Sequence, residues 1–197
     1  NRLKYELGLS QYAEGLLEDA AATAMGLIDA EPLGISLEAQ TQWGYRILAT
    51  KLAFDTQHMI FVRSTGEERQ AALDQMEALR EQIYELTGEM DDNPIVLQVD
   101  GKLASSDQRW TEAAALFERA IDKGAKDAMV LRLDASALEK SGQTGLAEQR
   151  FQEALQAEPS DLRNHLSLAE FYARTRQPEK GLALLERLPM RVIESNE

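Results

Sequence analysis

The residues able to do chemistry are few and scattered. His58 and His165 are the two histidines of the 197-residue chain, and they lie far apart in sequence. His58 has no second ligand three or four residues away, so it lacks metal-site spacing. His165 falls where other repeats carry leucine, as shown below, and reads as a packing residue. Cysteine is absent, which removes disulfides and thiolate metal sites and leaves the cytoplasm and the periplasm equally compatible. Asp91-Asp92-Asn93 is a dense run of oxygen ligands. No loop glycine followed by a terminal glutamate gives it calcium-loop spacing, so it reads as a polar loop capping the next helix. Glycines stand singly, and nothing resembles a phosphate-cradling loop. No nucleophile has a base beside it in sequence. The expectation is a protein without catalytic residues, metal or cofactor.

The elements that position these residues are helices. Ala, Leu, Glu and Gln are abundant while aromatics make up only 6% of the chain, a balance that favours helix over strand. No stretch reaches the roughly 18 apolar residues of a membrane span, and no signal peptide precedes the first helix, so direct membrane insertion is not expected. The chain begins at Asn1 rather than Met, as a fragment of a longer protein or a processed chain would. Net charge is −13. Residues 1–93 hold 7 Lys+Arg against 17 Asp+Glu, and residues 94–197 hold 14 against 17. An acidic chain lacks the basic footprint that a phosphate backbone requires, so nucleic acid is not expected as a partner.

A fixed period organises the C-terminal half. Ala113, Phe117 and Ala120 recur 34 residues later as Ala147, Phe151 and Ala154, and again as Gly181, Leu185 and Leu188. Gly101, Ala135 and Ala169 stand twelve residues before each leading small residue, and Leu97, Leu131 and His165 fall into the same register. The pattern resembles the tetratricopeptide repeat, in which each unit is a pair of antiparallel helices that approach closely through small residues. Trp110 and Pro159 occupy places where that family often carries an aromatic and a helix-ending proline. Leu7-Gly8, Gly15, Ala20, Ala24, Leu27 and Pro32 repeat the spacing near the N-terminus.

Residues 35–93 break the period. Ser36 to about Arg63 reads as one long helix, and Thr65 with Glu68 has capping-box spacing for a second running to about Glu89. Leu73, Met76, Leu79, Ile83 and Leu86 give that second helix an apolar stripe. Asn93 reads as the N-cap of a helix opening at Pro94. The expected architecture is all-α: about ten helices in a single domain over residues 1–197. It comprises a repeat at 1–34, an elongated irregular pair at 35–93, and repeats at 94–127, 128–161 and 162–195. The resemblance implies a right-handed solenoid of stacked pairs. The stretch from Pro189 is expected to fray or dock elsewhere.

The resemblance also implies that the first helix of each pair lines a concave groove. The positions one step off the packing residues are then Ile95, Gln98, Lys102, Ser105 and Ser106; Met129, Arg132, Ser136, Glu139 and Lys140; Arg163, Leu166, Glu170, Ala173 and Arg174. Lys102, Arg132, Lys140, Arg163 and Arg174 are basic, whereas only Glu139 and Glu170 are acidic. A groove richer in cations than the rest of the chain suits an acidic or C-terminal peptide segment. The two asparagines with which some family members grip a terminal carboxylate are missing, so chaperone-tail binding is not expected. Tyr5, Leu9 and Tyr12 give the first unit a more apolar face.

These features predict a scaffold or adaptor binding a protein or peptide partner. One alternative is a homodimer formed through the long pair at 36–89, with Trp43, Phe54, Ile60 and Phe61 exposed. Another is a part in a secretion assembly, since bacterial exopolysaccharide-export proteins carry similar solenoids.

Overall fold

The computed structural model of the chain describes residues 2–28, 37–88 and 92–188, with side chains in the third helix from Gly44 onward. Ten helices run through them: α1 (Arg2–Ala13), α2 (Leu17–Ile28), α3 (Leu37–Arg63), α4 (Gly66–Thr87), α5 (Pro94–Ser106), α6 (Trp110–Asp122), α7 (Ala128–Lys140), α8 (Thr144–Ala157), α9 (Leu162–Arg174) and α10 (Pro178–Glu186). Among the described residues no helix is long and apolar enough to cross a membrane. The chain divides into two compact units, residues 1–99 and 100–197.

In the first unit α1 packs on α2 and α3, α2 on α3, and α3 on α4. Gly8 marks the close approach: a Cβ placed there would lie 2.9 Å from Leu52 and 3.4 Å from Thr23. Ala20, Ala24, Leu27, Phe54, Met76, Leu79 and Ile83 are buried. In α4 the buried stripe runs Ala72, Met76, Leu79, Ile83, with Leu73 and Leu86 at its margin. Thr65 occupies the N-cap of α4 in extended geometry, but its side chain makes no capping hydrogen bond. The capping-box expectation therefore gave the right boundary for the wrong contact. Phe54 and Phe61 are both buried, and the Arg69 guanidinium sits 4.1 Å from the Phe61 ring centroid. This corrects the expectation that Phe54 and Phe61 are exposed on α3: both rings are buried on the packed side of the helix. The side chain of Trp43 lies outside the described residues, as do Pro32 and the segment from Pro189.

The second unit is built on Ala113, Phe117, Ala135, Ala147, Phe151, Ala154, Leu168 and Phe171, all buried. Gly101 and Gly181 lie where backbones pass closely. A Cβ at Gly101 would meet the Phe117 ring at 2.7 Å, and one at Gly181 would meet the Ala169 carbonyl oxygen at 2.9 Å. The 34-residue register of small residues thus reflects where helices touch.

Two further features repeat at that interval. Asn93, Asp127 and Asp161 each accept a hydrogen bond from a backbone N–H of the helix that follows (Ile95 at 2.9 Å, Val130 at 3.0 Å and Arg163 at 2.9 Å), satisfying donors that helix geometry leaves unmet. Gln108, Gly142 and Arg176 all adopt left-handed backbone, with φ of 60°, 85° and 61°. At each turn the left-handed residue donates to the carbonyl three residues back, and the next residue donates to the carbonyl five back, the Schellman arrangement. Gly15 makes the same turn between α1 and α2, with φ of 79°.

Candidate functional site

The predicted groove positions divide into three kinds. Gln98 and Lys102 on α5 are buried. They are corrected as groove-facing residues: burial leaves neither side chain open to a partner. Lysine reaches such a position by laying its long apolar stem along the packed surface. Arg132 and Met129 on α7 are partly buried. Lys140, Arg163, Glu170 and Arg174 are exposed.

The structure brings the α7 and α9 members together. Arg132 Nη1 donates to Asn164 Oδ1, and lies 3.5 Å from Asp161 Oδ2. Asp161 also caps α9 and accepts from Arg163 Nε at 3.0 Å. Burial would raise the Asp161 carboxyl, but hydrogen bonds from the Arg163 side chain and backbone, with the charges of Arg163 and Arg132, hold it below its ordinary value. Burial lowers the pKa of Arg132. Seven residues further along α7, Glu139 receives a two-pronged contact from Arg174, Nε at 2.8 Å and Nη2 at 2.9 Å. Paired hydrogen bonds of this kind fix geometry as well as charge. Arg174 also lies 3.5 Å from Glu170.

Two polar clasps therefore join the first helices of adjacent repeats, one near each end. Between them lie Leu166, 42% exposed, and the exposed Ser136 and Glu170. Three of the five cations that made the groove look positive spend part of their charge on Asp161, Glu139 and Glu170. Sequence counting missed this because it omitted Asp161, which stands one residue before α9. Its recurrence with Asn93 and Asp127 at 34 residues was the available signal.

Elsewhere His165 is buried, as its register implied, with Nε2 2.9 Å from the Pro159 carbonyl oxygen. No group of three His, Asp or Glu suited to a metal occurs among the described residues.

Residues 138–192 match the tetratricopeptide repeat family. Solved structures with the same fold include a thermophilic tetratricopeptide repeat protein from Thermus thermophilus, 15% identical, covering 86% of this chain and 80% of its own, with a TM-score of 0.62. MamA from Desulfovibrio magneticus RS-1 is 12% identical, with coverages of 100% and 96% and a TM-score of 0.55. Comparison by sequence with curated proteins gives no match. The class so defined is the all-α helical repeat fold of tetratricopeptide type, built from ten helices among the described residues. Within it, the resemblance carried by the 34-residue register is a tetratricopeptide one.

Proposed function

We propose that the chain is a protein-interaction scaffold that holds a peptide or protein segment across α7 and α9. The observation supporting this is the pair of clasps, Arg132–Asp161/Asn164 and Glu139–Arg174, which fix two neighbouring helices and leave exposed side chains between and beside them. A surface held rigid in this way binds with less ordering cost. Leu166 and Met129 offer an apolar anchor. Lys140, Arg163 and Arg174 offer cations to an acidic residue of the segment, and Glu170 offers a carboxylate to a basic one. Arg132 orients the face from below. A mixed-charge segment with one apolar anchor suits this face better than a purely acidic one, because Arg163 and Arg174 already have carboxylate neighbours.

Capture from source lysate with the native chain, with Lys140→Glu/Arg163→Glu, and with Arg119→Glu/Lys123→Glu on α6 as a charge-matched control, tests the reading. A partner retained by the native chain and the control but lost from the α7/α9 variant supports it. Equal retention by all three removes the face from consideration. Lys102 is left out of the variant because reversing a buried charge would test folding instead.

A further inference from the structure

Outside that face, the second unit contains a cleft of about 220 Å³ lined from α6, α7 and α8. Asp134 of α7 lies in its wall, with its side chain only 1% exposed. One carboxylate oxygen, Oδ2, accepts from Arg150 Nε at 2.8 Å. The other, Oδ1, is buried and has no hydrogen-bond partner. Leaving a buried charged acceptor unmet costs more than a hydrogen bond normally returns, so a donor entering the cleft and reaching this oxygen would recover that cost. Arg150 does not neutralise the site, because its Nη1 is engaged by Glu153 Oε2 at 2.7 Å. Glu118 of α6 lines the same cleft and is exposed. The cleft lining thus holds two carboxylates, Asp134 and Glu118, against one guanidinium that is already shared with Glu153. Leu138 and Ala114 give the cleft an apolar wall, and the exposed Leu146 adds apolar surface suited to an aliphatic stem.

We propose that this cleft binds a single guanidinium or ammonium group, which donates to Asp134 Oδ1 while Arg150 keeps Oδ2, and which Glu118 attracts. The site differs from the α7/α9 face: it lies between α7 and the second helices α6 and α8, and none of the residues in the two clasps lines it. The group arrives either on a small free molecule or on an arginine or lysine side chain of a partner protein.

Two probes separate these sources: methylguanidinium and the capped tripeptide Gly-Arg-Gly, each titrated into the full chain and followed by amide chemical shifts. Saturable shifts at Leu146, Gln149 and Arg150 are expected. Equal affinity for both probes points to a free small molecule, and tighter binding of the tripeptide points to a partner side chain. Asp134→Asn, which keeps the shape and removes the charge, weakens binding about tenfold or more. Thr111→Trp fills the exposed rim without touching the core and serves the same purpose if the Asn variant folds poorly. Acidification to about pH 5 releases the probe as Asp134, which burial pushes up to about 6, protonates; Glu118, Glu153 and Arg150 are the charged groups facing it. Absence of saturable shifts with both probes overturns the proposal. So does affinity unchanged in both variants.

Discussion

At the scale of single residues, burial decides what a charged side chain can do. Asp134 and Asp161 are both aspartates paired with arginine, yet their carboxyls move in opposite directions. Asp161 sits at a helix start with a backbone donor and two arginines, and is held below its ordinary value. Asp134 is buried more completely and has one oxygen unmet, and burial pushes it up from 3.8 to about 6 despite Arg150. The folded state therefore binds this proton more tightly than the unfolded chain. The associated stability is fully present below about pH 4 and is lost as pH rises through about 6. Relative to Asp134→Asn, which does not titrate, the native chain should gain about 1–3 kcal/mol between pH 7 and pH 4. Urea midpoints of both proteins at each pH measure this, and a pH-independent difference would refute it.

At the scale of elements, the repeat is a set of backbone requirements more than a set of side chains. The turn between paired helices needs a left-handed residue, which glycine supplies at Gly15 and Gly142 and which Gln108 and Arg176 adopt at a cost. Arg176→Gly should raise stability by about 1 kcal/mol and Gly142→Gln lower it by a similar amount, both read from chemical denaturation; no change in either would show that the turn carries no strain. Ala147 is fully buried where α8 meets its neighbours, so Ala147→Leu should cost about 1–3 kcal/mol by overpacking. The proper control is the exposed Gln156→Leu. Glu148, one residue from Ala147, accepts from Tyr172 Oη at 3.0 Å and lies 3.3 Å from Lys180 Nζ, so its replacement would break contacts of its own. Equal thermal melts for Ala147→Leu and Gln156→Leu would contradict the register.

At the scale of the whole molecule, charge and burial are both uneven. Most of the negative balance, −10 of −13, belongs to residues 1–99, since 94–99 carry no charge, while the clasped face belongs to the second unit. Self-association through the long helices cannot use Phe54 or Phe61, which are buried; among the described side chains of α3 the exposed large apolar one is Val62, at 58%. Phe61→Glu should unfold the first unit at a cost of about 2 kcal/mol or more whatever the oligomeric state. Val62→Glu is the informative variant. The native chain and Val62→Glu are expected to sediment alike, as monomers; a native dimer dissociated by Val62→Glu would turn the functional reading towards homo-oligomerisation.

The sequence alone determined the helical class, the pairing and the 34-residue register, because each follows from local spacing: small residues must recur wherever two backbones touch, and Asn93 before Pro94 starts a helix by rules confined to one turn. It also located α3 and α4, whose lengths come from long runs without proline. Only the tertiary structure decided which charges remain available. Lys102 and Lys140 are both lysines on a predicted groove helix, but one is buried and the other is exposed. Arg174 looked like a free cation until Glu139, thirty-five residues earlier, proved to be its partner. The unmet oxygen of Asp134 had no sequence signature at all. Solvent exposure and ion pairing depend on residues distant in the chain, whereas periodicity depends on neighbours, and that difference separates what could be read from what had to be seen.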